Sequence, residues 1–290
     1  MTENTVYRDT LLFVMKNGER ISHTPQDVGA LTCFGTIPPL VYDVREGFPV
    51  ITERTMGWRA PIGEMCAFIN GVQNFTVMRT EFGVPAPFWE PWVTERKCAK
   101  AHAQPNCLGD ASYGPAIAAF PTPDGDTYDQ LGNVLRMLAD KKLQNRRTLY
   151  VSPWIPYMNG WGANQRAVVS PCHGWMHFRV INGHLDLLSW HRAADLPLGF
   201  PNDMISYSAL LLMMSHISGI PARRLVFQIG DGHIYTNQVD AVNEMLSREP
   251  QSLPLLRCDP TVSSLRDFRS SHFSLAGYTP HPKMLIPSAV

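Results

Sequence analysis

Long apolar runs are missing from this 290-residue chain, and so is an excess of charge of either sign. Without an unbroken apolar stretch of spanning length, no membrane helix is expected, and no secretory leader is recognisable at the start. Lys plus Arg and Asp plus Glu number 25 each, for a formal net charge of zero. That balance argues against broad binding to nucleic acid or to an anionic membrane. It leaves room for a small anion held by a few arginines. Closely paired cysteines are also absent: the six stand at 33, 66, 98, 107, 172 and 258, with no C-x-x-C. Free thiols in a reducing, cytoplasmic setting are the simplest expectation. Charged residues make up only 17%, which suits a large core or a buried subunit interface.

What is present concentrates between Pro171 and Asp203. Met176, Phe178 and Val180 alternate with Trp175, His177 and Arg179, Asn182-Gly183 signals a tight turn, and residues 185–190 form the return strand. Cys172 opens this hairpin and Arg192 closes it, so antiparallel pairing could bring thiol and guanidinium together. A nearby cation favours thiolate, the nucleophilic form. Taken alone, Cys172 is as readily a buried core cysteine.

Pro-Cys-His at 171–173, followed by Arg192-x-x-Asp195-x-x-Leu198-Gly199-x-Pro201, resembles the thymidylate synthase superfamily. The resemblance runs over almost the whole chain. It implies one α+β catalytic domain over 1–290, a mixed β-sheet packed against helices, and a homodimer pairing sheet to sheet. Cys172 then matches the nucleophile that adds to C6 of a pyrimidine nucleotide. Arg192 matches a phosphate ligand facing the sulfur, and Asp195 the aspartate beside the base. The residue that reads the base differs. The family has asparagine for uracil, whereas this chain carries Asn202-Asp203. Cytosine donates from N4 and accepts at N3, so a protonated carboxyl fits it. The Asn-Asp pair resembles the cytidylate 5-hydroxymethylase branch. An N-cap for the apolar run 204–217 is the plainer use of Asp203.

The rest of the chain extends the resemblance. A helix is expected over 6–15, strands over 31–34 and 40–44, and a helix over 58–69 carrying Glu64, which matches the family's proton-relaying glutamate. Trp89 and Trp92 resemble its Trp-x-x-Trp, and Tyr113-Gly114 its tyrosine near the sulfur. Helix 127–138 precedes Arg146-Arg147, which the resemblance sends across a dimer interface to the partner's nucleotide phosphate, and a strand over 148–152. Bidentate guanidiniums suit a dianion. Residues 225–229 read as a buried strand leading into Gly230-Asp231-Gly232-His233-Ile234-Tyr235-Thr236-Asn237. His233 and Tyr235 share a face there, in reach of a sugar. Arg20 is the nearest candidate for a further phosphate arginine. The insertion 94–110 holds Cys98, His102 and Cys107, too few ligands for a structural zinc site, and is expected as a surface loop with no metal.

The resemblance therefore implies catalytic roles for Cys172, Glu64, Asp203, Tyr113 and Trp89. It implies nucleotide contacts at Arg192, Arg146, Arg147, Asp195, His233, Tyr235, His173 and Arg20. Folate contacts follow at Trp89, Trp92, Asp195, Gly199 and Val290, with 5,10-methylenetetrahydrofolate as cofactor. Departures from the family pattern are His177 and His191, each in place of glutamine, and Ala193 in place of a phosphate-binding serine. With Ala193, CMP is as acceptable as dCMP. Methyl transfer to dCMP, thymidylate synthesis from dUMP, and a non-catalytic nucleotide binder are the rival readings.

Overall fold

A computed structural model describes residues 5–160 and 163–289. α1 (Val6–Asn17) buries Tyr7, Thr10, Leu11 and Val14, a stripe at helical spacing. β1 (Glu19–Ile21), β2 (Ala30–Phe34) and β3 (Leu40–Asp43) follow. The next layer is helical: α2 (Arg59–Ile69), α3 (Phe75–Phe82), α4 (Ala86–Trp89), α5 (Glu95–Lys100) and α6 (Tyr113–Ala118). A short ribbon of β4 (Phe120–Pro121) and β5 (Thr127–Tyr128) leads to α7 (Gln130–Ala139). The centre is β6 (Tyr150–Val151), β7 (Trp175–Ile181), β8 (His184–Asp195), α8 (Phe200–Ser218) and β9 (Ala222–Tyr235). α9 (Val239–Leu246) and a ribbon of β10 (Leu255–Cys258) with β11 (Phe273–Ala276) complete it.

The main sheet runs β1-β2-β9-β8-β7-β6, and β3 pairs with the first half of β9 while β2 pairs with the second. Among the described residues, only β8 and β9 pair in parallel, because α8 carries the chain back between them. This is a mixed sheet packed against helices, the α+β arrangement expected. α8 is apolar all round and buries Met204, Ile205, Tyr207, Leu210, Leu211, Met213 and Met214, so it lies within the core. The β7–β8 hairpin turns at Asn182-Gly183, both with positive φ (52° and 76°), the conformation a tight hairpin demands.

Several boundaries differ from the sequence expectation. α8 begins at Phe200, not Met204, because Pro201 presets a helical φ in its first turn. Asp203 therefore lies inside that turn, the helix has no side-chain cap, and the capping use of Asp203 falls away. α7 begins only at Gln130, since Asp129 caps it by accepting from the Gly132 amide at 2.8 Å. β8 extends to Asp195, with a bulge between Leu185 and Leu187, and β9 is continuous through Tyr235. The strand around Thr148 shrinks to Tyr150–Val151. The insertion is more than a surface loop: it contains α5, and Cys98, Ala101 and Leu108 are buried in the core.

Candidate active site

Hairpin geometry brings Cys172 and Arg192 together. The Arg192 amide donates to the Cys172 carbonyl at 2.7 Å, and Arg192 Nη2 lies 3.3 Å from Cys172 Sγ. The guanidinium is held by the Pro171 and Ser170 carbonyls and rests over Trp154. The Cys172 amide donates to Tyr113 Oη at 2.9 Å, which fixes the sulfur relative to α6. The expected tilt toward thiolate is not the net result. Burial pushes the Cys172 thiol up, and Arg192 opposes this without overcoming it, while the Asp203 carboxylate adds to the rise.

Two carboxyls approach from the helical side. Glu64 on α2 accepts from Trp89 Nε1 at 2.5 Å, and burial lifts its pKa to about 8. Asp203 enters from the first turn of α8, and burial raises it to about 6 against the pull of His173. Its side chain keeps 17% exposure, so part of it stays open to solvent. His173 Nε2 stands 3.5 Å from Asp203 Oδ1, and His191 Nδ1 stands 3.5 Å from Oδ2. Both imidazoles are held neutral by burial, His173 near 4 and His191 near 3. Tyr113 stacks on His173 at 4.4 Å and on Phe68 at 4.9 Å, with Trp89 edge-on.

A second cluster forms where β8 and β9 run side by side, with Asp195 registered against His233. Asp195 accepts from the Leu198 amide and from Gln238 Nε2, and burial pushes its carboxyl up. Gln238 Nε2 also donates to the Pro287 carbonyl at 3.0 Å, which ties the tail to Asp195. His233 and Tyr235 touch edge to face at 4.9 Å, as their shared face requires. His233 pairs with Asp231, itself bonded to Thr32.

Other expected residues stand apart. Arg146 and Arg147 are exposed before β6, and the Arg147 carbonyl contacts His177 Nε2 at 3.0 Å. Arg20 is exposed on β1, at the sheet edge. Trp92 lies under Lys97 Nζ at 4.1 Å, whereas Gly199 adjoins the second cluster, its amide donating to the Asp195 carbonyl at 3.1 Å. Val290 lies outside the described residues. Within the insertion, His102 contacts the Ala163 carbonyl, while the Cys98 thiol donates to the Cys107 carbonyl.

A model of the thymidylate synthase family matches residues 5–290. The chain belongs to the thymidylate synthase family. The family's reaction is a folate-dependent one-carbon transfer to C5 of a pyrimidine nucleotide, and its members use methylenetetrahydrofolate. The residues present fit such a cofactor. Glu64 is a carboxyl that holds its proton at neutral pH, with an indole on one oxygen, and Asp195 offers a second buried carboxyl beside the pinned tail. In this family member, sequence reasoning missed Tyr207, Ser189 and Gln238. Tyr207 had a signal, standing one helical turn after Asp203. Ser189 shares a strand face with His191, two residues away. Gln238 had none, because only the fold brings it to Asp195.

Proposed function

We infer that the protein adds a one-carbon unit to C5 of a cytidine monophosphate, CMP or dCMP, and that water completes the reaction to a 5-hydroxymethyl product. The observation that carries this is Asp203: a carboxyl raised to about 6 at the base-reading position, facing a cleft beside the Cys172 sulfur. One oxygen accepts from N4 of cytosine and the other donates to N3. Uracil presents O4 and N3–H, and an ionised carboxylate meets O4 poorly because it has no hydrogen to donate.

Cys172 Sγ adds to C6, and the ring electrons settle as N3 takes the proton of Asp203. C5 becomes the nucleophile that forms the new carbon–carbon bond, then loses its proton to a base in the cleft. When bound, methylenetetrahydrofolate supplies the one-carbon unit, leaving as tetrahydrofolate, or as dihydrofolate if it also gives a hydride. Glu64 holds a proton at neutral pH and exchanges it with ordered water in the site. Trp89 keeps that carboxyl in place. The oxygen of water bonds to the exocyclic methylene carbon and its proton passes to ordered water; the C6–S bond then breaks as N3 returns its proton to Asp203, and Cys172 leaves as thiolate. Arg192 binds the phosphate, while Arg146 and Arg147 reach the phosphate in a second copy of the chain. Asp195, His233 and Tyr235 hold base and sugar, and Ala193 admits either sugar.

A second reading, methylation of dCMP by hydride transfer, has one observation in its favour. The Pro287 carbonyl is tied through Gln238 to Asp195, so the tail can exclude water.

Product mass tests both. Incubation with methylenetetrahydrofolate and CMP, dCMP or dUMP should add CH2O to a cytosine nucleotide. A gain of CH2 with dihydrofolate formed makes the protein a methylase, and turnover of dUMP alone overturns the role given to Asp203. Asp203→Asn should shift preference toward dUMP by at least ~10-fold.

A further inference from the structure

His191 is the least explained polar residue near the cleft. It stands on β8 beside Arg192, but successive strand residues face opposite ways, so it points into the core. Its side chain is fully buried, with the ring centroids of Phe200, Tyr207 and Phe227 each 5.5 Å from its own. A hydrocarbon would fill that cage. The imidazole instead leaves Nδ1 buried without a hydrogen-bond partner, aimed at Asp203 Oδ2 3.5 Å away. Orphaned buried donors are rare and call for a reason. The other nitrogen, Nε2, contacts Ser189 Oγ at 3.2 Å. His173, whose ring centroid lies 5.5 Å from that of His191, is built alike: Nε2 faces Asp203 Oδ1, and Nδ1 contacts Tyr207 Oη at 2.6 Å.

Each histidine thus has a hydroxyl behind it and one oxygen of the same carboxyl in front. A hydroxyl donating to the rear nitrogen leaves the front nitrogen carrying the hydrogen. Two neutral imidazoles then present N–H groups to the two oxygens of Asp203, and a shift of a few tenths of an ångström closes both hydrogen bonds.

We propose that His191 is a positioning residue for the reading of cytosine: its Nδ1–H, set by Ser189, holds the Asp203 carboxyl across the base edge and steadies the carboxylate formed when N3 takes the proton. This rests on Asp203 being the cytosine contact. The balance is simple. The O–H bond of Asp203 breaks, an N3–H bond forms, and the electron pair left on the carboxylate is met by His173 Nε2–H, His191 Nδ1–H and the N4–H of the base. The groups facing Asp203 from the packed elements are His173, His191, Tyr207, Glu64 on α2, Tyr113 on α6 and Cys172.

Calorimetry of CMP and dCMP binding, from pH 5 to 9 in buffers of different ionisation heat, counts protons taken up. The parent should take up about one proton per nucleotide above the titration of Asp203 and none well below it. His191→Phe keeps the ring but removes the donor, which disfavours the carboxylate. The onset of uptake should move up by about one pH unit, and kcat should fall at least ~10-fold with a smaller change in KM. His191→Gln, whose amide can still donate, should return kcat to within ~3-fold of the parent. If His191→Phe keeps the parental onset and kcat, His191 is only core and the proposal is wrong. Should that variant not fold, Ser189→Ala releases the tautomer and should shift the onset the same way, and an unmoved onset is equally fatal. Asp203→Asn separates the two levels. If it still takes up the proton, the cytosine reading fails and this proposal with it. If it loses uptake while His191→Phe matches the parent, only the present inference fails.

Discussion

At Cys172 two opposing influences meet on one sulfur. The Arg192 guanidinium lies 3.3 Å away, yet burial wins and the thiol is raised. If Cys172 is the nucleophile, its thiolate forms as the nucleotide binds or as the proton is removed, not in advance. Cys172→Ser should lose turnover by at least ~1000-fold while CMP and dCMP still bind; retained turnover would remove the covalent step. Glu64 gives a pH signature of its own. Its pKa is raised from 4.5 to about 8, so the folded state binds more protons than the unfolded state between those values, and its contribution to stability falls as pH rises through that window. Glu64→Gln carries no such term. Relative to the parent, the variant should gain stability on going from pH 5 to pH 8, on the order of 3 kcal/mol, read from denaturant midpoints. A constant difference would mean that Glu64 titrates normally.

Among elements, the α2–α3 contact positions that carboxyl. Gly63, adjacent to Glu64, packs so tightly that an added Cβ would collide with the Phe82 carbonyl oxygen. Gly63→Ala should destabilise the protein by about 1–3 kcal/mol. It should also lower kcat, because α2 must move off α3 and takes Glu64 with it. A variant with parental kcat and stability would show that α2 tolerates displacement. The β8–α8 junction matters in the same way. β8 ends at Asp195 and α8 starts at Phe200, so four intervening residues turn the chain and present Asp203 from the first helical turn. The apolar run after Asp203 identified the helix, but not its start, because Phe200 and Pro201 look like loop residues until the turn is seen to be helical.

For the whole molecule, the open face of the sheet is the unresolved feature of a single copy. Trp175, Arg179 and Trp190 remain half-buried there, and Phe34, Val41, Tyr150 and Ile181 are exposed on the sheet strands. A second copy against this face would cover them and bring Arg146 and Arg147 to the neighbouring cleft. Mixing Cys172→Ser with an Arg146→Ala/Arg147→Ala variant should then restore about a quarter of parental activity, since each mixed dimer regains one whole site. No recovery after subunit exchange, or a monomer by sedimentation, would place all catalytic groups in one chain.

The sequence by itself determined the family, the hairpin from Trp175 to Trp190 and the core helix after Asp203. These are legible because they rest on local periodicity, turn chemistry and an uninterrupted motif. Tertiary structure alone decided the balance at Cys172, the pairing of Glu64 with Trp89, the tie from Gln238 to the tail, and the bracket of His173 and His191 around Asp203. Those depend on desolvation and on groups far apart in the chain, such as Glu64 and Asp203, that meet only when α2 and α8 pack. Spacing along a sequence carries no information about how much water a folded chain excludes.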